Sequence, residues 1–190
     1  MCIRDSFDTG QKWDKRKFIH RMNSLLPKDI AVYDLKQVKD DFHARFAALS
    51  RTYQYHLMLK KNPFQHELAY HYHGALNIDF MNEATQLLLG EKDFSCFSKS
   101  NTQTFTNNCH ISMANWQQNG DELIFTIKAN RFLRNMVRAI VGTLIEVGEG
   151  KRRVDSIPEL IASKERSNAC LLYTSDAADD SLRVDLGGRR

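Results

Sequence analysis

The stretch that decides the fold of this chain is Ala129-Asn130-Arg131-Phe132-Leu133-Arg134-Asn135-Met136-Val137-Arg138, continuing as Ala139-Ile140-Val141-Gly142-Thr143-Leu144-Ile145-Glu146-Val147-Gly148. Its apolar side chains recur at three- and four-residue spacing, which predicts one apolar face of a helix: Leu133, Met136, Val137, Ile140, Val141 and Leu144. Asn130 is expected to cap the start of this helix, and Gly148 and Gly150 are expected to end it.

Arginines are spaced three and four residues apart on the same predicted helix, so that Arg131, Arg134 and Arg138 would form a cationic row beside the apolar face. The helix dipole disfavours each cation near a helix N-terminus by about 0.3–1 kcal/mol. An anion, either a carboxylate of the protein or a phosphate, would offset that cost. The alternative is that these arginines are simply solvated on a core helix.

Composition limits the class of protein. The chain has 190 residues, which fits one domain or two small halves that share a core, and 42% of them are hydrophobic and 26% charged. No apolar run approaches the ~18 residues of a membrane span, and residues 1–24 contain no apolar core of a signal peptide. The net charge of +4 favours an anionic partner. Cys2, Cys96, Cys109 and Cys170 form no CxxC pair, which favours a reducing, cytoplasmic location.

The two ends differ from the middle of the chain. Residues 1–6 and residues 170–190 have no convincing apolar face and resemble translated adapter sequence at the ends of assembled sequencing reads. We therefore expect both ends to be non-native and the fold to be encoded by residues 7–169. A genuine disordered tail is the alternative for residues 170–190.

The middle of the chain alternates between helical and extended patterns. Helices are predicted over 12–26, over 79–89 with Asp79 as the cap, and over 155–166 with Pro158 in the first turn. Strands are predicted over 30–35, 52–60, 68–73, 110–117 and 122–129, the last two joined by the hairpin turn Asn119-Gly120-Asp121, and residues 93–97 are predicted to be a loop or single turn docked by its phenylalanines. This mixture favours an α+β fold around a mixed, largely antiparallel sheet over a doubly wound parallel one.

Most site motifs are absent from the sequence. There is no Gly-rich phosphate loop and no Gly-x-Ser-x-Gly elbow. His66, His71 and His73 are close in sequence, but no thiol or carboxylate set accompanies them, and Cys109-His110 is more typical of packing. We therefore predict no metal site.

Basic and aromatic side chains remain as the candidate functional set, and they lie on the predicted sheet and the neighbouring helix: Arg45, Arg51, Tyr53, Tyr55, Lys128, Arg131, Arg134 and Arg138. An aromatic ring flanked by arginines suits a flipped or single-stranded base, because the ring stacks on the base while guanidinium groups bind phosphates. Tyr53 and Tyr55 could equally be core tyrosines of an amphipathic strand, and for Tyr55 we favour that interpretation.

Several motifs, in order, resemble those of the bacterial tRNA pseudouridine synthase family that acts on the anticodon stem-loop: Phe42-His43-Ala44-Arg45-Phe46, Arg51-Thr52-Tyr53-Gln54-Tyr55, Leu89-Gly90-Glu91-Lys92-Asp93-Phe94, Lys128-Ala129-Asn130-Arg131-Phe132, Met136-Val137-Arg138 and Val141-Gly142. The resemblance implies a pseudouridine synthase-like α+β fold and the isomerisation of uridine to pseudouridine at tRNA positions thirty-eight to forty. It implies no cofactor, and a homodimer that binds tRNA in a shared basic cleft.

The resemblance also assigns roles to single residues. Tyr53 matches the family tyrosine that packs against the target uracil, and Arg138 matches the basic residue that pairs with the catalytic aspartate. Arg45, Arg51 and Lys128 fall within family motifs without a defined role, and Arg131 and Arg134 are hypothesised to bind the RNA backbone.

One departure from the family concerns catalysis. The family's aspartate lies in a Gly-Arg-Thr-Asp-x-Gly-Val-His motif, which this sequence lacks, and Phe7-Asp8-Thr9-Gly10 aligns better with the segment after that motif. Asp8 is therefore not assigned the role of nucleophile, and no catalytic residue is predicted. We expect an N-terminally truncated, inactive fragment. Two alternatives stay open: a non-catalytic RNA-binding module, and an α+β protein whose arginines are structural.

Overall fold

The computed structural model describes residues 5–44, 46–64, 69–99, 105–170 and 172. Apart from Met1, the chain divides into two compact units, Cys2–Ala48 and Leu49–Arg190. The smaller unit contains helix α1 (Lys15–Leu25), which begins where the Asp14 side chain accepts a hydrogen bond from the backbone N–H of Lys17 at 3.0 Å. No described residue of this unit is fully buried, so its own apolar core is small.

The smaller unit departs from two of the sequence predictions. The helix over 12–26 is confirmed with narrower bounds. The spacing of Phe18, Met22 and Leu25 predicts one apolar face for it, but Leu25 is 83% exposed. The strand predicted over 30–35 is wrong, since none of these residues belongs to a strand in the part of the chain that the structure describes. Instead, the side-chain amide of Asn23 donates to the carbonyl of Val32 at 2.9 Å and accepts from its N–H at 2.6 Å, which replaces pairing with another strand.

The larger unit is built on a sheet that has five strands in the described part of the chain, in the order β2-β1-β5-β4-β3. The strands are β1 (Arg51–Met58), β2 (Tyr70–His71), β3 (Gly90–Asp93), β4 (Asn108–Asn119) and β5 (Glu122–Ala129). All neighbouring pairs are antiparallel except β1 and β2. The predicted α+β class with a mixed, largely antiparallel sheet is therefore confirmed.

Most strand predictions hold. The hairpin of β4 and β5 turns at Gly120, whose φ of +60° is accessible to glycine at little cost. β2 lies within the predicted strand 68–73, of which Leu68 is outside the described residues. Residues 95–97 form the predicted single turn, with Phe94 and Phe97 buried. β3 was not predicted, because Gly90-Glu91-Lys92-Asp93 has no apolar alternation and is held in place by β4.

Within the described residues, three α-helices accompany the sheet: α2 (Ile78–Gln86), α3 (Met136–Gly148) and α4 (Ser156–Ser163). Asn77, and not the predicted Asp79, caps α2, since its side chain accepts from the N–H of Phe80 at 3.0 Å. The spacing of Phe80 with Ala84, Leu87 and Leu88 predicts that Phe80 points inward, but it is 49% exposed and Met81 is buried instead. The predicted C-terminal helix ends earlier than expected because Lys164 takes a left-handed conformation with φ of 56°. No helix in the described residues is long and apolar enough to cross a membrane.

The start of α3 corrects the prediction from the deciding stretch. The helix begins at Met136, and Asn130 to Asn135 form an irregular loop in which Asn135 has a φ of 63°. Arg131 and Arg134 therefore precede the helix, and only Arg138 lies in its first turn. The predicted helical row of arginines is wrong. The predicted end is confirmed, since α3 stops at Gly148 and Gly150 has a φ of +72°.

Nearly every side chain of α3 is buried, so the helix is enclosed on more than the single face that its periodicity indicated. Backbone atoms of Cys170 and Leu172 lie directly against Gly142. A Cβ atom there would lie 2.8 Å from the backbone nitrogen of Leu172 and 2.9 Å from the carbonyl oxygen of Cys170. Glycine at this position therefore permits a close approach of two backbone segments.

We expect Gly142→Ala to lower the free energy of unfolding by about 1–3 kcal/mol, because the new methyl group must displace backbone atoms. The matched control is Gly148→Ala in the same helix, where a Cβ would meet the flexible Sδ of Met81 at 2.6 Å. That variant should change stability by less than about 1 kcal/mol, since alanine's helix propensity offsets the crowding. Urea unfolding of both variants measures the difference, and equal losses would contradict this account of Gly142.

Candidate functional site

The aromatic centre of the candidate site is Tyr53 on β1. It shares the sheet face of the buried Tyr55 and Leu57, since it pairs with the buried Ile127 of β5, yet it stays half-buried. The ring of Phe132 meets it edge-on, with centroids 4.9 Å apart and planes at 86°. Such edge-to-face pairs contribute about 0.5–1.5 kcal/mol beyond area burial. Tyr53 is thus a ring supported from one side by the core and still partly accessible.

Arg51 lies two residues before Tyr53 and is half-buried. Its Nη1 donates to the carbonyl oxygen of Asn130 at 3.4 Å. Burial raises the pKa of the Tyr53 hydroxyl, and the nearby charge of Arg51 opposes part of that rise. The phenol is therefore protonated at neutral pH and can donate a hydrogen bond.

The loop from Asn130 to Asn135, here called the arginine loop, carries Phe132 and two of the candidate cations. Arg134 is exposed, and its carbonyl accepts from the backbone N–H of Lys99 at 2.9 Å. Arg131 is half-buried and close enough to Cys109 for its charge to counter the burial that raises the pKa of that thiol to about 11. Arg138 follows in the first turn of α3 and is half-buried. The loop therefore brings positive charge to the neighbourhood of Tyr53.

Two other candidates lie elsewhere. Lys128 pairs with Thr52 across β1 and β5, and both are exposed on the sheet face opposite to that of Tyr53. Arg45 is outside the described residues. Tyr55 is 3% exposed, in agreement with the prediction that it is a core residue.

In the described part of the chain, the histidines and cysteines form no cluster of three metal ligands, and each cysteine thiol has a raised pKa. The rings of His71 and His73 lie 4.0 Å apart, but the described residues contain no group of three metal-ligating side chains. Burial raises the pKa of Cys96 to about 12 and that of Cys109 to about 11, so both thiols are protonated and poor nucleophiles at neutral pH.

The sequence interpretation missed two neighbours of this site. Phe132 was noted only as part of a motif, although an aromatic residue next to Arg131 is a typical base-stacking signal. Lys99 is exposed and lies beside Arg134 through the backbone hydrogen bond, a proximity that no local pattern could have indicated. A partly accessible ring beside flexible cations can stack on a base and bind its phosphates.

Comparisons with known proteins agree with this chemistry. A family model described as tRNA pseudouridine synthase matches residues 84–183. The chain is 54% identical over 149 residues to tRNA pseudouridine synthase A of Parabacteroides distasonis, covering 78% of this chain and 59% of that protein. It is 46% identical to the protein of that name from Bacteroides thetaiotaomicron, covering 86% of this chain and 62% of the relative. For the Azobacteroides pseudotrichonymphae relative the identity is 43%, over 95% of this chain and 71% of the relative. The chain thus spans about three fifths of the first two relatives.

Proposed function

Because the chain belongs to the tRNA pseudouridine synthase family, we propose that it is the part of an anticodon stem-loop synthase that holds the target uridine and the surrounding tRNA backbone. The observation that carries the proposal is the half-buried Tyr53 ring, supported edge-on by Phe132 beside Arg51. The substrate is uridine at tRNA positions thirty-eight to forty, as the motif resemblance implies.

Tyr53 would contact the uracil base. Stacking of a base on an aromatic side chain contributes about 1–3 kcal/mol per base and does not depend on sequence, because every base has a π-face. The protonated hydroxyl of Tyr53 can also donate a hydrogen bond to a carbonyl oxygen of the base. Selection among uridines would then come from the backbone contacts that fix the register of the tRNA.

The arginine loop would contact the phosphates. Arg134 is exposed, and Arg131 and Arg138 are half-buried. Guanidinium groups bind phosphate through paired hydrogen bonds, which fixes the orientation of the RNA as well as adding affinity. This part of the proposal retains Arg131 and Arg134 as backbone contacts and Arg138 as the partner of a catalytic carboxylate in the whole protein.

The 190 residues lack the Gly-Arg-Thr-Asp-x-Gly-Val-His motif of the family. We therefore propose that this chain by itself binds tRNA without isomerising uridine. In that respect a fragment of a synthase would behave as the non-catalytic RNA-binding module that the sequence left as an alternative. For the whole protein we propose the cytoplasmic homodimer with a shared tRNA cleft that the resemblance implies.

The test compares Arg134→Gln, in the arginine loop, with Lys128→Gln, on the sheet face opposite to that of Tyr53, and each variant removes one exposed cation. Arg134→Gln should weaken binding of an anticodon stem-loop RNA up to about fivefold, since an exposed ion pair contributes up to about 1 kcal/mol. It should also reduce the slope of log affinity against log salt by about 1. Lys128→Gln should leave both quantities unchanged.

Fluorescence anisotropy of labelled stem-loop RNA between low and physiological salt gives both numbers. A stem-loop of the same length and unrelated sequence shows how much of the affinity is non-specific. Equal effects of the two variants would mean that binding follows net charge and not the arginine loop. No binding above that of other basic proteins would reject the proposal and favour structural arginines.

A further inference from the structure

Asn130 is the residue at which the chain leaves the sheet, immediately after β5 ends at Ala129. Its side-chain Oδ1 accepts two hydrogen bonds, from the backbone N–H of His110 at 2.8 Å and from that of Arg131 at 2.7 Å. Its own N–H donates to the carbonyl of His110 at 3.1 Å, and its carbonyl accepts from Arg51 Nη1 at 3.4 Å. Asn130 therefore links β4, the start of β1 and the arginine loop.

This arrangement fixes the direction of the chain where the ladder ends. The pairing of β4 with β5 stops at Ile111 and Ala129, so His110 would otherwise face a departing strand. The Asn130 side chain continues the pairing for one residue by accepting from the N–H of His110, and the same oxygen accepts from the N–H of Arg131, the next residue of the loop. The loop thus leaves the sheet along a single path.

Phe132 follows only two residues later. Because only Arg131 separates the two residues, the backbone direction at Asn130 determines where the Phe132 ring lies relative to Tyr53. The other end of the loop is held separately by the hydrogen bond from Lys99 to Arg134. At the start of the loop, one carboxamide oxygen makes both side-chain hydrogen bonds of Asn130, in addition to the backbone hydrogen bond from Asn130 to His110.

We infer that Asn130 is a positioning residue that holds Phe132 edge-on against Tyr53 and so shapes the surface on which a base stacks. It acts through Phe132 and Arg51. Its importance for uridine binding rests on the proposed function, whereas its effect on the two rings does not. The required feature is a hydrogen-bond acceptor at the Oδ1 position, which aspartate can supply and alanine cannot.

The experiment uses ¹⁹F NMR of the full chain with its six tyrosines replaced by 3-fluorotyrosine. Tyr53→Phe assigns the Tyr53 signal, and Phe132→Leu shows where that signal moves once the ring of Phe132 is gone. Asn130→Ala is expected to move the Tyr53 signal most of the way to its position in Phe132→Leu. The signal of the buried Tyr55 should stay in place in all variants, as a check that the sheet is intact.

Asn130→Asp is the rescue variant and is expected to leave the Tyr53 signal at its wild-type position. A Tyr53 signal that stays in place in a folded Asn130→Ala, or that moves equally in both variants, would overturn the inference. If Asn130→Ala does not fold, Asn130→Asp decides alone, because its signal either stays with wild type or moves towards Phe132→Leu. Binding of the anticodon stem-loop RNA is measured separately, and should fall in Asn130→Ala as in Phe132→Leu. Absence of RNA binding by the wild-type chain would reject the proposed function while leaving the ring geometry testable.

Discussion

Tritium release from tRNA labelled at C5 of uridine is expected to be undetectable with this chain. Pseudouridine forms when the bond between uracil N1 and ribose C1′ breaks and C5 of the uracil bonds to C1′ instead. N1 takes up a proton and C5 loses its hydrogen, so each turnover frees the hydrogen at C5. The family resemblance implies a carboxylate that attacks covalently, and the motif that carries it is absent from the 190 residues. Removal of a covalent nucleophile from other enzymes lowers kcat by roughly six orders of magnitude.

The assay should be run at saturating tRNA, with the Parabacteroides distasonis relative as the comparison enzyme and with binding of the same tRNA measured in parallel. A trace of host synthase in the preparation would also release tritium, so Tyr53→Ala serves as the control. Release that persists in Tyr53→Ala comes from a contaminant. Release at a rate comparable to that of the relative, and lost in Tyr53→Ala, would contradict the prediction and require a nucleophile elsewhere in the chain.

Local patterns were sufficient for the sheet. The alternation of Tyr53, Tyr55 and Leu57 predicted β1, and Asn119-Gly120-Asp121 predicted the hairpin of β4 and β5, because side-chain period and turn chemistry act over a few residues. The same reasoning could have placed Lys128, since Ile127 and Ala129 beside it are buried and Lys128 must therefore point to the opposite face.

The arginine loop could not be predicted in the same way. Leu133 is 5% exposed and belongs to the core although it lies before the helix. In the sequence it therefore matches the three- and four-residue spacing of the buried residues within the helix. The reason the helix starts late is a tertiary contact, since Asn130 uses its side chain on His110 and not on the first turn of a helix. Periodicity records which residues are buried, and a buried loop residue at the right spacing is indistinguishable from a helical one.

The candidate site shows the same division. Tyr53 and Arg51 were found because they lie on one strand face, two residues apart. Lys99 lies close to Arg134 because of a hydrogen bond between segments that are distant in sequence. The contact of Phe132 with Tyr53 depends on the direction in which the arginine loop leaves the sheet. Motif resemblance could select the residues, but their mutual geometry required the fold.

Phe125→Ala is expected to produce the largest loss of stability. Phe125 is fully buried at the centre of β5, where it pairs with Tyr55 on one side and Trp116 on the other, and its ring lies 4.8 Å from that of Trp116. Truncation of a buried phenylalanine costs about 3–5 kcal/mol, because the lost burial is compounded by a cavity. That is a large part of the roughly 5–15 kcal/mol that stabilises a typical native protein.

The matched control is Phe80→Ala on α2, where the ring is 49% exposed and the loss should stay below about 1 kcal/mol. Urea unfolding can be followed by the fluorescence of Trp116 in a Trp13→Phe background, since the sequence contains two tryptophans and Trp13 lies in the smaller unit. Tyr53 lies on β1, which pairs with the strand β5 that contains Phe125. Phe125→Ala should therefore also weaken RNA binding, because it reduces the fraction of molecules that are folded. If the RNA affinity of the folded molecules fell as well, packing of the core would directly determine the position of Tyr53. Similar losses of unfolding free energy in Phe125→Ala and Phe80→Ala would contradict the prediction, because they would show that the sheet interior is not the main source of stability.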